Sequence, residues 1–171
     1  FDPYFIFASG GHAGQMFVLG CPSMRLLKAI PVFTRESWQG YGFGSDQSEL
    51  VLSAGSDPTK SEPLGWGDTH HPALSETEGD YDGRWLYIND RANGRIAMID
   101  LADFKTKQII DILNIGTSHG GCFVTPNSEY VHISSMTPST YLAPGGYAPL
   151  SDFAKYYRGA SCWMAIDQET G

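Results

Sequence analysis

Short apolar runs recur along the chain, separated by Gly, Asn, Asp and Pro. Phe5-Ile6-Phe7-Ala8, Met16-Phe17-Val18-Leu19, Trp85-Leu86-Tyr87-Ile88 and Ile96-Ala97-Met98-Ile99 are of this kind. Runs this short, bounded by turn residues, predict strands rather than helices. The pattern also repeats. Residues 1–32 align with residues 81–112 without a gap, so that the first two runs meet the last two, Gly14 meets Gly94, and Ala29-Ile30 meets Ile109-Ile110. Each unit reads strand, turn, strand, turn, strand. In the second unit the strands are Arg84–Asn89, Gly94–Asp100 and Lys107–Ile112. In a third copy, Asn127–Ile133 matches Asp82–Ile88, and Cys162–Asp167 matches Arg95–Asp100.

A further strand precedes the second block at His71-Pro72-Ala73-Leu74-Ser75. The same slot before the third block falls on His119-Gly120-Gly121-Cys122-Phe123-Val124. Four short strands per unit, repeated at about 45 residues, are the signature of a β-propeller. The expected fold is all-β: a partial β-propeller of about two and a half blades of four-stranded antiparallel sheet, with unpaired strands at its two ends. Irregular stretches occupy 34–66 and roughly 136–157; the second is rich in Pro, Gly, Tyr and Ser. Long loops on a regular scaffold carry function or an interface.

Composition narrows the class. The chain of 171 residues is 42% hydrophobic and 18% charged, which excludes a disordered or membrane-embedded chain. Gly (20), Pro (10) and 13% aromatic residues favour strands and tight turns. The net charge of −8, with no Lys/Arg run, argues against nucleic acid and anionic membranes as partners. No apolar stretch is long enough for a membrane span. Cys21, Cys122 and Cys162 are odd in number and not in CxxC spacing, so they read as small buried hydrophobes. The chain opens within a strand, without Met or a signal peptide, and reads as one domain's portion of a longer protein.

The histidines carry the candidate chemistry. His70 and His71 are adjacent in Gly67-Asp68-Thr69-His70-His71-Pro72, and His119 opens the equivalent strand of the next unit. Adjacent histidines in a loop are as a rule solvated or capping residues. A matching histidine in the next unit tips the reading toward a metal site, because first strands of propeller blades ring one mouth of the central channel. Neutral imidazole suits Zn, Cu, Fe and Ni. Neighbouring side chains point to opposite faces of a regular strand, so the pair converges only where the backbone turns, as it can before Pro72. Asp68 is placed to accept from a ligand imidazole or to relay protons. Thr69 and Ser118 are lesser polar candidates. His12, in the turn Gly10-Gly11-His12-Ala13-Gly14, and His132, in mid-strand, read as non-ligands. No helix follows the Gly10–Gly14 turn, so it is not a dinucleotide fingerprint. Tyr81–Arg84 and Pro126–Glu129 read as turn chemistry.

Several blocks together resemble the N-terminal propeller of the nitrous-oxide reductase family. They are Ser9–Gly14, Pro22-Ser23-Met24-Arg25 leading to Ile30-Pro31-Val32-Phe33, Asp68-Thr69-His70-His71-Pro72, Tyr81–Asp90, and Ala92–Ala97. His119–Asn127 and Tyr130–Ser135 resemble the family's second, Sec-exported branch. The resemblance implies a seven-bladed propeller over residues 1–171 and onward, with a C-terminal cupredoxin domain absent from this chain. It implies that His70, His71 and His119 are three ligands of a tetranuclear copper–sulfide cluster, and that Asp68 assists proton or electron delivery in catalysis. It further implies a dinuclear copper centre in the missing domain, with any calcium sites in missing segments. The expected protein is a periplasmic homodimer that reduces nitrous oxide with electrons from a cytochrome c or a cupredoxin. The alternatives are a non-catalytic propeller interaction module, which would hold no copper, and a mononuclear propeller hydrolase, which would need no reductant.

Overall fold

Each apolar run is a strand in the computed structural model of the chain, which describes residues 1–34, 67–91, 94–112, 119–138 and 159–171. The strands are β1 (Tyr4–Ser9), β2 (Gln15–Cys21), β3 (Leu26–Pro31), β4 (Thr69–Thr77), β5 (Asp80–Asp90), β6 (Arg95–Asp100), β7 (Lys105–Asp111), β8 (Cys122–Val124), β9 (Tyr130–Pro138) and β10 (Gly159–Ala165). No helix occurs among the described residues. Three antiparallel sheets result: β1-β2-β3, β4-β5-β6-β7 and β8-β9-β10. The irregular segments 34–66 and 136–157 lie almost wholly outside the described residues.

The repeat extends to backbone pairing. Phe5↔Gly20 and Ser9↔Met16 in the first sheet reappear as Trp85↔Asp100 and Asn89↔Ile96 in the second. Even the irregularity recurs: the ladder slips between Val18 and Leu19, and again between Met98 and Ile99. The third unit differs from its expected alignment. Cys162 pairs with Ile133 as Ala97 pairs with Ile88, so Cys162 is equivalent to Ala97 and not to Arg95. The shift is two residues, which preserves the faces because side chains alternate with period two. It follows the long insertion, where the sequence offers no fixed count, and a bulge between Gly159 and Ser161.

The central strands β5 and β6 of the middle sheet are buried on both faces, which explains their unbroken apolar runs. Leu86, Ile88, Ala97 and Ile99 pack on Met16, Val18 and Ile30 of the first sheet and on Val32 and Phe33 just after it. Trp85, Tyr87, Ile96 and Met98 pack on Val124, Val131, Ile133 and Ile166 beside the third. Each fully buried Leu or Ile contributes about 1.5–3 kcal/mol. Polar bonds join the layers as well. Thr106 donates to the Pro31 carbonyl at 2.8 Å. The turn at Pro126–Glu129 clamps the β4–β5 hairpin: Ser128 Oγ accepts from Glu76 N–H at 2.7 Å, and Asn127 Oδ1 accepts from Glu78 N–H at 2.9 Å. That stretch therefore has the structural role its turn residues predict. The stacking brings β4 against β8.

Candidate metal centre

The β4–β5 ladder runs Thr69↔Asp90 and then Pro72↔Ile88, so His70 and His71 together oppose Asn89. Two residues facing one make a β-bulge, which re-aims side chains. It brings two consecutive imidazoles together, with ring centroids 4.1 Å apart and planes tilted by 46°. The backbone turn expected before Pro72 is this bulge.

His119 comes from the neighbouring sheet. It does not open strand β8 but lies in a turn three residues before Cys122. The reason is steric. Gly120 N–H donates to the Ser134 carbonyl at 3.0 Å, and a Cβ on Gly120 would fall 1.7 Å from Ser134 Oγ. Gly121 has φ +83°, and a Cβ there would lie 3.1 Å from His71 Cβ. Two glycines thus let the turn fold close over β9 and β4. His119 Nε2 ends 3.0 Å from His70 Nε2. The His119 ring is 4.3 Å from that of His70 and 5.6 Å from that of His71, centroid to centroid.

One ring nitrogen from each of the three histidines lies within 4.8 Å of the others. Metal–imidazole bonds are about 2.0–2.1 Å, so two nitrogens on one ion are at most about 4.2 Å apart. The 3.0 Å pair fits a shared ion; a span of up to 4.8 Å fits neighbouring ions or a small adjustment of the rings. His70 also has the right protonation. Burial, and then the adjacent His71 and His119 rings, hold His70 below its ordinary value of 6.5, although Asp68 pulls the other way. A neutral imidazole keeps the lone pair that a metal requires.

Asp68 is buried beside this cluster. Among the described residues its carboxylate meets Arg91 Nη1 at 3.4 Å and His12 Nδ1 at 3.6 Å, rather than an imidazole of the trio. His12 and Arg91 sit on equivalent turns of adjacent sheets, and the Gly10–Gly14 turn borders the site. Thr69 is committed to structure: its hydroxyl lies 2.7 Å from the Gln15 carbonyl and 3.2 Å from that of Gly11. Ser118 lies outside the described residues. His132 is no member of the trio: its ring makes a tilted contact with Trp163, centroids 4.5 Å apart, on an open face of the third sheet. The cysteines are free and half-buried. Sequence reasoning missed Asn89, Asp90, Arg91 and Arg95. Asp90 Oδ1 accepts from Asp68 N–H at 2.8 Å, while Arg95 holds Asp90 Oδ2 at 2.6 and 2.9 Å. In the sequence Asn89-Asp90 looks like the start of a turn. Only its place at the strand end opposite the histidine pair could have flagged it.

Stacked antiparallel sheets that bring two imidazoles from one strand and a third from the turn before another to one point define an all-β protein with a candidate metal centre between sheets. No family model matches the chain. Relatives do. The nitrous-oxide reductase of Stutzerimonas stutzeri is 37% identical over 170 residues, covering 99% of this chain and 25% of that protein. That of Pseudomonas fluorescens is 44% identical over 119 residues, 70% of this chain and 18% of the other. That of Cupriavidus necator is 34% identical over 176 residues, 99% and 26%. The chain belongs to the nitrous-oxide reductase family, and spans about a quarter of the length of the curated relatives that it matches along its whole length. In fold it is similar to a solved Kuenenia stuttgartiensis hydrazine synthase, with TM-score 0.59 at 12% identity over 95% of this chain and 36% of that one.

Proposed function

We propose that this chain is part of the N-terminal propeller of a nitrous-oxide reductase, and that His70, His71 and His119 are copper ligands of its catalytic cluster. The observation that carries the reading is the pair of Nε2 atoms from different sheets, 3.0 Å apart, with a third imidazole beside them. The name of the relatives supplies the reaction: nitrous oxide takes up two electrons and two protons, the N–O bond breaks, and dinitrogen and water leave. Copper, when bound, supplies the electrons and a site for an otherwise inert molecule. The chain's own residues hold the metal with neutral imidazoles and position a carboxylate. Asp68 is buried 3.6 Å from the exposed ring of His12 and acts electrostatically on His70, which supports a role for it in proton delivery.

The wider protein follows from the same reading. Stacked four-stranded units of the β4–β7 kind continue into a closed seven-bladed propeller carrying the remaining ligands of a tetranuclear copper–sulfide cluster. A cupredoxin domain with a dinuclear copper centre lies beyond it. The enzyme is a periplasmic homodimer, exported by the Sec route, that takes electrons from a cytochrome c or a cupredoxin. No helix of the described residues is long and apolar enough to cross a membrane. The test is His119→Ala in the full-length protein. Copper content should fall and nitrous-oxide reduction should stop while the β-sheet circular dichroism stays unchanged. Undiminished copper and activity would refute the ligand role.

A further inference from the structure

We infer that Asn89 is a positioning residue: its side-chain carbonyl holds the bulge that turns His70 and His71 to the same side. The inference rests on the reading of the three histidines as copper ligands. A bulge puts one extra residue into a strand, and one amide there loses its partner in the ladder. Here that amide is His71 N–H, which donates to Asn89 Oδ1 at 2.7 Å. Pro72, next in the strand, brings no N–H to the ladder at all. Asn89 is fully buried, with Ile96 opposite it on β6. The bond is part-buried, and an N–H left unpaired where water is partly excluded destabilises the strand, so the side-chain acceptor favours this bulge.

The repeat isolates the device. The positions equivalent to Asn89 are Ser9 in the first unit and Ser134 in the third, as the pairings Ser9↔Met16, Asn89↔Ile96, Ile88↔Ala97 and Ile133↔Cys162 fix them. In the third unit the same strand end holds the other histidine turn, but through the main chain: the Ser134 carbonyl accepts from Gly120 N–H. Among the described residues, only in the second unit does a side chain stand in for the main-chain carbonyl, and only there do two histidines follow one another. Asp90 complements it, holding Asp68 N–H on the other side of His70. Without the Asn89 acceptor the favoured outcome is a regular ladder. A regular ladder sends neighbouring side chains to opposite faces and draws one imidazole away.

The experiment compares Asn89→Leu, which keeps the volume and removes the acceptor, with Asn89→Asp, which keeps the acceptor. Both are made in the full-length protein, with His119→Ala as the control. Copper affinity and the copper absorption spectrum are read out. The Leu variant should bind copper about 10–100-fold more weakly and with an altered spectrum, and the Asp variant should restore both. Undiminished copper with an unchanged spectrum in the Leu variant, or an equal loss in the Asp variant, overturns the role of Asn89. Undiminished copper in His119→Ala overturns the underlying ligand assignment instead. Should the Leu variant not fold, hydrogen exchange at the residue 71 amide of the unsubstituted protein decides. Protection supports the inference, and exchange at the open-chain rate overturns it.

Discussion

At the scale of single residues, the centre depends on groups too small to interfere. Gly120 has no room for a methyl: its Cβ would meet Ser134 Oγ at 1.7 Å and the Ser134 carbonyl at 2.8 Å. Gly120→Ala should therefore cost about 1–3 kcal/mol and lower copper content by displacing His119. Adding Ser134→Gly removes the worst contact and should recover part of both losses, a coupling that denaturant unfolding of the double variant would show. No recovery would mean that the backbone contact dominates. Tyr87 presents the opposite case. Its hydroxyl is buried with no hydrogen-bond partner among the described residues, and burial pushes its pKa well up. Tyr87→Phe removes an unsatisfied polar atom and keeps the ring, so unfolding free energy should hold steady or rise by about 1 kcal/mol. A clear loss of stability would reveal a partner for that hydroxyl.

At the scale of elements, the β4–β5 hairpin does two jobs. Its far end carries the histidine bulge, and its turn is tied by a carboxylate. Asp82 accepts from Ser75 Oγ at 2.5 Å, from Thr77 Oγ1 at 3.0 Å and from Arg84 N–H at 3.0 Å. Burial pushes the Asp82 carboxyl up, but these three bonds outweigh it and leave the folded pKa below the ordinary 3.8. The sign follows. The unfolded chain takes up this proton first as the pH falls, so the stability Asp82 contributes is fully present above 3.8 and is lost as pH drops through the lower folded value. Asp82→Asn should flatten that part of the unfolding free energy against pH. An unchanged acid limb would assign it to another carboxylate. The strands of the hairpin were legible in the chain because four-residue apolar runs between turn residues are short and two-sided. The bulge was not, because it depends on where β5 places Asn89.

At the scale of the molecule, the sheets stack so that each equivalent face meets the next. Tyr130, His132 and Trp163 hold the positions that Trp85, Tyr87 and Met98 occupy in the second sheet, as Ile88↔Ala97 and Ile133↔Cys162 establish. The second set is buried against the third sheet. On the third sheet the matching face stays open: Trp163 is 55% exposed, Tyr130 48%, and Phe123, opposite His132, 58%. A contiguous apolar row of this kind is an aggregation surface when nothing covers it. The isolated chain of 171 residues should therefore self-associate in light scattering, and Trp163→Lys with Phe123→Lys should raise its solubility limit. Equal solubility of the two forms would place the sticky surface elsewhere.

By itself the sequence determined the class of structure, the repeat and the identity of the imidazoles. Apolar spacing and turn residues are local signals, and copies of one unit share pairing down to the slip after Val18 and Met98. It did not determine how far His119 stands from its strand, the two-residue shift of β10, or the partners of Asp68. Nor did it determine the buried bonds of Asn89 and Asp90. Those depend on contacts across sheets, between residues far apart in the chain, where a bulge or an insertion changes the count without leaving a local mark. The chain names the histidines; the packing of one sheet on another decides that their nitrogens meet.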